Sequence, residues 1–199
     1  MNEYKKTTHD DNEMAVSDIV TDSNLDPQYR FDSFIVDENN QLAKSAAVAL
    51  VETENPKEPF LLLYIYGDRG TGKTHLMSAI GNYISETTNR RVLYATAEQF
   101  IDEMKKAMYE DSNEAMCVVR QKYYSVDVLL VDDLKKIVKY PPILEEFFHI
   151  LNRRIQEEKV TVVTCKKHPV YVKAFDERFQ SRYRKGLIVD IAKPLKIKS

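Results

Sequence analysis

Residues Gly67 to Thr74 read Gly-Asp-Arg-Gly-Thr-Gly-Lys-Thr, a match to the pattern G-x-x-x-x-G-K-T. The apolar run Leu61–Tyr66 precedes this stretch and a helical pattern follows it, so the order is strand, glycine-rich turn and helix. Three of the five glycines in the chain fall within six of these positions. Backbone N–H groups in such a turn, together with the positive end of the helix, can hold a polyphosphate. The stretch therefore predicts a phosphate-binding loop, and the alternative is an ordinary strand-to-helix turn.

The residues of this loop have different expected roles at the phosphates of a nucleotide. Glycine is needed where the backbone comes close to a ligand or takes a positive φ. The positions expected to hold phosphate through their backbone are Gly67, Gly70, Thr71 and Gly72. Lys73 is expected to reach the β and γ phosphates, and the Thr74 hydroxyl is expected to bind Mg²⁺. An ordinary turn has no reason to place lysine and threonine directly after its last glycine.

A second stretch, Val128–Asp133, is an apolar strand that ends in two acids. A parallel strand delivers such side chains to the carboxyl edge of the sheet, where the phosphate-binding loop also lies. We expect Asp132 to hold Mg²⁺ through its water shell and Asp133 to orient or polarise the attacking water. The alternative is a plain acidic pair between a strand and a loop.

A third stretch, Asp176–Tyr183, alternates acids and arginines after the fourth predicted strand. The planar guanidinium suits phosphate charge, and an arginine from a neighbouring subunit can stabilise the charge on a transferring phosphoryl group. The alternative is weak pairing within one helix, such as Asp176 with Gln180 or Arg178 with Arg182.

Hydrophobic periodicity divides the chain into alternating strands and helices. Strands are predicted at 61–66, 91–96, 126–131, 160–164 and 187–191. Helices are predicted at 39–53, directly after the loop, at 97–110, at 113–123 and along the apolar stripe 144–155. This alternation predicts the α/β class, a three-layer P-loop NTPase sandwich around a central parallel five-stranded sheet. The sequence predicts a disordered acidic tail at residues 1–24 and one nucleotide-binding domain at residues 25–199.

Charge is distributed unevenly along the 199 residues. Residues 1–26 carry seven acids and two bases, a net charge of −5, whereas the remainder carries 24 acids and 27 bases, a net charge of +3. The part from Arg178 onward has seven bases and one acid. This basic end indicates weak, sequence-independent contact with DNA or with another acidic partner, or simply a solvated surface.

The remaining bulk features bear on the cellular location. Cys117 and Cys165 show neither metal-binding nor disulfide spacing. No apolar run approaches the roughly 18 residues of a membrane span, and the polar, acidic N-terminal stretch does not have the pattern of a signal peptide. A reduced, cytoplasmic setting without a membrane span is therefore expected.

Beyond these patterns, the chain from Leu25 to Ile191 resembles the ATPase (AAA+) domain of the bacterial chromosomal replication initiator DnaA family. The stretches that carry the resemblance, besides the loop and the paired acids, are Leu25–Phe34, His75-Leu76, Ala79–Ile84, Ser125–Asp127, Glu145–His149 and Arg182-Tyr183 before Gly186-Leu187. Many families share the phosphate-binding loop. The sequence Glu-Glu-Phe-Phe-His at 145–149, after a strand ending in two aspartates, is much more specific.

The resemblance implies that the cofactors are ATP and Mg²⁺. It implies that residues around Tyr29, Phe34 and Val36 border the adenine, and that His75 belongs to the same nucleotide site. Arg182 matches the arginine finger of the family, and Arg178 matches a second nucleotide-responsive arginine. The helices between 97 and 123 match an insertion that faces single-stranded DNA in filaments of the family.

The function implied is initiation or regulation of chromosomal replication through ATP-dependent self-assembly, with slow hydrolysis of ATP to ADP and phosphate. The expected partner is a second copy of the chain or a full-length initiator, with weak non-specific contact to DNA. One alternative is a helicase loader or a regulator of the initiator. A second alternative is a nucleotide-dependent interaction module with little ATPase activity.

Three departures from the family pattern affect these expectations. Lys166 stands where the family has an acid that senses the γ phosphate, and Tyr140 and Pro142 stand where it has a basic pair that contacts single-stranded DNA. The sequence Pro141-Pro142 predicts a stiff turn. The chain ends at Ser199, so neither the helical lid nor the helix-turn-helix domain of the family is expected in it.

Overall fold

The structure is a computed structural model of the chain, and it describes residues 25–110 and 112–193. The acidic tail predicted at residues 1–24 lies outside the described residues. The five strands are β1 (Leu62–Tyr66), β2 (Val92–Thr96), β3 (Val128–Asp132), β4 (Val160–Cys165) and β5 (Leu187–Asp190). The α-helices in the described part are α1 (Gln41–Glu52), α2 (Lys73–Thr87), α3 (Ala97–Tyr109), α4 (Asn113–Ser125), α5 (Pro141–Gln156) and α6 (Glu177–Arg184).

The five strands form one parallel sheet in the order β2-β3-β4-β1-β5. Strand β1 therefore lies between β4 and β5, with Tyr66 opposite both Cys165 and Asp190. Parallel neighbours require crossover connections, and helices supply them here. The predicted α/β class with a parallel five-stranded sheet is confirmed.

Two apolar layers cover the two faces of the sheet, because successive side chains of a strand point to opposite faces. Leu63 and Ile65 of β1 pack with helices α1 and α2. Leu62 and Tyr64 of the same strand pack with helices α3 to α6. The sheet is thus buried on both sides, which explains why its central strands read as continuous apolar runs.

Helix α5 begins at Pro141-Pro142, so the prediction of a stiff turn at this position is wrong. Proline suits the first helical positions, because its φ is already helical and the N–H that it lacks would have no partner there. The hydrogen bond from Leu144 N to Tyr140 O, 2.9 Å long, shows that the helix winds directly from these prolines.

Arg154 of α5 is fully buried and connects the elements at the amino edge of the sheet. Its guanidinium donates to the carbonyl oxygens of Tyr123 at 2.9 Å, Val126 at 2.8 Å and Val160 at 2.6 Å. Burial lowers the pKa of Arg154 to about 9. The side chain therefore ties the end of α4 to the approaches of β3 and β4, at the sheet edge opposite to the phosphate-binding loop.

Within residues 25–110 and 112–193, none of the helices combines the length and the apolar content that a bilayer crossing requires. Cys117 is exposed, Cys165 is buried, and both are free thiols.

Candidate functional site

The phosphate-binding loop leaves the carboxyl end of β1 and has glycine where the backbone demands it. Gly67 has a φ of +156°, and a Cβ at this position would lie 2.1 Å from the carbonyl oxygen of Ile191. Gly72 has a φ of +99°, and its Cβ would lie 3.1 Å from the Phe34 ring. A side chain at either position would therefore meet both an unfavourable dihedral and a neighbour.

The backbone N–H groups of this loop are available to a ligand. Within the part of the chain that the structure describes, no residue accepts a hydrogen bond from the N–H groups of residues 68–72. Gly72 makes no side-chain cap, and the hydrogen bond from Leu76 N to Gly72 O, 2.9 Å long, opens the helical ladder of α2. Orphan donors at a helix start suit an anion.

Lys73, the first residue of α2, folds back over this loop. Its ammonium donates to Gly67 O at 2.9 Å and to Asp68 O at 2.5 Å. Burial lowers the pKa of Lys73. The Thr71 hydroxyl donates to Asp68 O at 3.0 Å and closes the turn. A phosphate would give this ammonium a charged acceptor in place of two neutral carbonyls, so the residues present fit a polyphosphate.

The two residues predicted to hold the metal lie together. The Thr74 hydroxyl donates to Asp132 Oδ2 at 2.7 Å. Hydroxyl and carboxylate oxygens are ligands that suit Mg²⁺, which also uses phosphate oxygens and water. The pair therefore fits the ion, with Thr74 on the loop side and Asp132 at the end of the third strand. Bound there, the ion would neutralise charge on the phosphates.

Two further residues hold Asp132, and the sequence reasoning missed both. Tyr94 of β2 donates its hydroxyl to Asp132 Oδ2 at 3.2 Å, and Thr164 of β4 donates its hydroxyl to Asp132 Oδ1. Thr164 reaches Asp132 through the parallel register of β3 and β4, which pairs Val131 with Val163 and so puts the next residues side by side, and the sequence alone does not show this register. Tyr94 reaches from a diagonal position, for which no sequence pattern exists.

Asp133 takes a left-handed conformation with a φ of +63°, which aspartate tolerates better than most residues. Its backbone N–H donates to the Thr164 hydroxyl at 2.8 Å. Its carboxylate lies 3.5 Å from the ammonium of Lys136 and is partly exposed. The expected role of Asp133 at an attacking water stays a prediction.

Aromatic residues of the segment before α1 pack against the start of α2. The Tyr29 and His75 rings stack with centroids 4.8 Å apart, and the Phe34 ring meets His75 edge-on at 5.3 Å. The His75 Nε2 lies 3.0 Å from Arg30 O. The structure thus brings Tyr29, Phe34 and His75 together beside the loop, whereas Val36 is 41% exposed on the surface. Their assignment to the adenine stays a prediction.

Arg182 lies toward the amino ends of the strands, whereas its own phosphate-binding loop lies at their carboxyl ends. Its Nε donates to Asn152 Oδ1 of α5 at 2.6 Å. Four residues later, a Cβ on Gly186 would lie 2.6 Å from Leu62 O, which places this turn at the amino end of β1. The loop follows Tyr66 at the other end of that five-residue strand, about 13 Å away at the usual rise per residue.

Arg178 is held by two carboxylates and a ring. Its guanidinium contacts Glu145 through the two terminal nitrogens, at 2.8 Å and 3.0 Å, and Asp176 at 2.8 Å. It also lies 4.8 Å from the centroid of Phe148. The hydrogen bonds to Glu145 and then to Asp176 raise the pKa of Arg178 above its ordinary value. The role of Arg178 at a nucleotide stays a prediction.

The side-chain pairs considered within α6 are not those found in the described part of this helix. Gln180 Nε2 donates to Pro169 O at 2.8 Å, and Asp176 caps the helix by accepting from the backbone N–H of Arg178 at 3.0 Å. Arg182 contacts α5, as described above. Arg178 and Arg182 therefore contact α5, whereas Arg184 pairs with Glu177 of the same helix.

The residues that depart from the family pattern have definite positions. Lys166 follows β4, and its ammonium lies 3.5 Å from Asp68 Oδ1, so it stands beside the phosphate-binding loop. Tyr140 is 38% exposed, and the Lys105 ammonium lies 4.1 Å from its ring centroid. Pro142 lies in the first turn of α5.

Comparison with known proteins identifies close relatives of this chain. A protein-family model described as the bacterial DnaA ATPase domain matches residues 25–190. The chromosomal replication initiator protein DnaA of Thermoanaerobacter sp. (strain X514) is 36% identical over 193 residues. That alignment covers 96% of this chain and 42% of the relative, so the chain spans less than half the length of the curated relative.

Solved structures agree with this result. Domain III of the Thermotoga maritima replication initiation protein DnaA superposes with a TM-score of 0.77 at 33% identity, covering 86% of this chain and 70% of that one. The replication initiator DnaA bound to AMPPCP and single-stranded DNA gives 0.76 at 32% identity, covering 85% and 51%. DnaI and the DnaC helicase loader share the fold alone, with TM-scores of 0.66 and 0.60 at 23% and 19% identity. The chain belongs to the family of bacterial DnaA ATPase domains.

Proposed function

We propose that this domain binds ATP with Mg²⁺ and acts in the initiation or regulation of chromosomal replication through ATP-dependent self-assembly in the cytoplasm. The observation that carries the proposal is the juxtaposition of loop N–H groups that have no acceptor among the described residues, the Lys73 ammonium and the Thr74–Asp132 pair. Backbone donors and one lysine bind the phosphates, while the hydroxyl and the carboxylate face the ion. The partner is a second copy of the chain or a full-length initiator.

Hydrolysis of ATP is expected to be slow in a single copy. The residues proposed for it are Asp133 at the attacking water and Arg182, with Arg178 as a second arginine that responds to the nucleotide. The position of Arg182 at the far edge of the sheet supports its action on the nucleotide of a neighbour. An arginine supplied by a neighbour can contribute about 10³–10⁵ in rate, so turnover depends on assembly.

The Lys73→Ala substitution tests nucleotide binding directly. We expect ATP·Mg²⁺ to bind about 10–100-fold more weakly in calorimetry, because a charge-assisted contact contributes about 1.5–3 kcal/mol. Lys57→Ala is the matched control, since Lys57 is exposed and pairs with Glu158 away from the loop. Equal ATP affinity in the wild type and Lys73→Ala would refute the proposed site.

The two alternative functions separate from this proposal in one further measurement. Turnover and particle size are recorded together after ATP·Mg²⁺ is added, with and without single-stranded DNA. An interaction module with little ATPase activity assembles without turnover. A helicase loader is separated by a pull-down, in which it captures replicative helicase rather than full-length initiator or a second copy of the chain. Contact with DNA, if present, is expected to be weak, sequence-independent and steeply dependent on salt.

A further inference from the structure

The carboxylate of Asp132 is surrounded by hydroxyl groups from three different elements. Oδ2 accepts from Thr74 of α2 at 2.7 Å and from Tyr94 of β2 at 3.2 Å, while Oδ1 accepts from Thr164 of β4. A carboxylate offers about four lone-pair sites for hydrogen bonds. Three of these sites are therefore filled by hydroxyl groups, and about one remains for a water molecule of a metal ion.

Tyr94 differs from the other two hydroxyl donors. Thr74 belongs to the phosphate-binding loop, where its oxygen is expected to bind the metal. Thr164 has a second task, because its oxygen also accepts from the Asp133 N–H at 2.8 Å. The Tyr94 hydroxyl has Asp132 as its one hydrogen-bond partner within the described residues, and it lies outside the loop. Loss of the Tyr94 hydroxyl would therefore leave the Asp132 carboxylate less firmly oriented without changing the loop.

The Tyr94 hydroxyl can donate its hydrogen bond at neutral pH, because an ordinary phenol is protonated there. The strand register brings it near the acid, since Thr96 pairs with Asp132 and Tyr94 lies two residues earlier on the same face. The ring spans this diagonal, and its tip meets Oδ2.

We propose that Tyr94 is a positioning residue that holds the Asp132 carboxylate in one orientation toward the hydration shell of the metal, and so sets the Mg²⁺ requirement of nucleotide binding. This inference rests on the proposed function. Mg²⁺ demands near-ideal octahedral geometry, whereas Ca²⁺ accepts more ligands in flexible arrangements. A carboxylate that is free to turn is therefore a poorer partner for Mg²⁺, and the loss of affinity should be smaller for Ca²⁺.

The experiment compares the wild type with Tyr94→Phe, which keeps the ring and removes only the hydroxyl. ATP binding is measured by calorimetry at increasing Mg²⁺, at increasing Ca²⁺, and in EDTA. We expect the Mg²⁺ concentration that gives half of the gain in ATP affinity (the Mg²⁺ midpoint) to rise about tenfold in Tyr94→Phe. Loss of a residue that orients a metal ligand usually weakens metal binding by this amount. The Ca²⁺ midpoint should shift less, and ATP affinity in EDTA should be unchanged.

Tyr66→Phe is the matched control. Tyr66 ends β1 at the same edge of the sheet, and its ring packs edge-on against His168 at 5.2 Å. Its Mg²⁺ midpoint should equal that of the wild type. An unchanged Mg²⁺ midpoint in Tyr94→Phe overturns this inference and leaves the proposed function standing. A loss of ATP affinity in EDTA as large as the loss in Mg²⁺ also overturns it, because Tyr94 would then shape the pocket rather than the metal site. Absence of ATP binding by the wild type overturns the proposed function and this inference together.

Discussion

At the scale of single residues, Gly67 and Gly70 differ in the space around them as well as in φ, which is +156° and +76°. Both have positive φ, but a Cβ on Gly67 would lie 2.1 Å from Ile191 O, whereas a Cβ on Gly70 would meet nothing within 4 Å. Gly70→Ala should therefore cost only the strain of the left-handed conformation, about 1–2 kcal/mol. Gly67→Ala should cost about 3 kcal/mol or more, because backbone must also move. Urea unfolding of the two variants measures the difference.

Gly70→Ala serves as the control for Gly67→Ala, because both add one methyl group to the same loop. Equal unfolding midpoints would show that the contact between the loop and the segment after β5 accommodates the methyl group at no cost in stability. The expected gap in midpoint would show that this contact is rigid.

The candidate site could be predicted from the sequence where a residue acts through a local pattern. Thr74 and Asp132 were found because each ends a motif with a fixed relation to a strand, and the structure places them 2.7 Å apart. Tyr94 and Thr164 were not found, because their contact with Asp132 depends on the register between strands that are 32 or more residues apart in the chain. A single sequence contains no local signal of that register.

At the scale of elements, α6 and α5 fix Arg182 at an edge that its own nucleotide site does not share. Arg182→Ala should retain ATP affinity and lose ATP-dependent self-association, because the substitution leaves the loop intact and removes the cation that we propose acts on the nucleotide of a neighbour. Mixing it with Lys73→Ala should restore part of the turnover, since each variant supplies what the other lacks. Sedimentation and a phosphate-release assay measure the two effects.

Arg184→Ala is the matched control on the same helix. Arg184 is exposed and pairs with Glu177, so its loss should change neither association nor turnover. Unchanged ATP-dependent association of Arg182→Ala, together with a lower melting temperature, would assign Arg182 a structural role through Asn152 instead.

The elements themselves were predicted well where apolar runs are long. The strand predicted at 160–164 is observed at Val160–Cys165, and the helix predicted at 97–110 is observed at Ala97–Tyr109. The start of α5 was missed, because Pro-Pro is ambiguous between a turn and the first turn of a helix. The strand predicted at 126–131 begins at Val128, since Val126 still belongs to the connection held by Arg154.

At the scale of the whole molecule, three buried tyrosines predict sensitivity to alkali. Burial raises the pKa of Tyr64, Tyr123 and Tyr183 above the ordinary value of about 10. Above pH 10 the unfolded chain releases these protons and the folded chain keeps them, so stability present below this pH is lost as pH rises. Each such proton changes the free energy of unfolding by about 1.4 kcal/mol per pH unit. Urea unfolding at pH 8 to 11 measures the slope.

Arg154 acts in the opposite direction, because its folded pKa of about 9 lies below its unfolded value, so its contribution to stability increases as pH rises above 9. Three tyrosines oppose one arginine, and the net slope should be negative. Tyr183→Phe is an informative variant, since the Tyr183 hydroxyl is buried and makes no hydrogen bond to any described residue. It should cost little at neutral pH and flatten the alkaline slope, and a slope equal to that of the wild type would contradict this account.

Fold class and domain type could be predicted from the sequence, because alternating strands and helices leave few arrangements other than a parallel sheet covered on both faces. The strand order β2-β3-β4-β1-β5 was not predicted. It depends on which crossovers skip a strand, and that choice is made by long-range packing such as the contact of Gly186 with the start of β1.

The placement of Arg182 and the phosphate-binding loop at opposite edges of one sheet gives the molecule a polarity. Under the role proposed for Arg182, an arginine at one end of the strands serves a neighbour's site at the other end, and this head-to-tail contact cannot close as a two-fold dimer but forms a ring or an open row. An open row then has unlike ends. One terminal copy holds ATP without a neighbouring arginine, and the other offers an arginine without a nucleotide to receive it. Growth and disassembly at the two ends need not occur at the same rate.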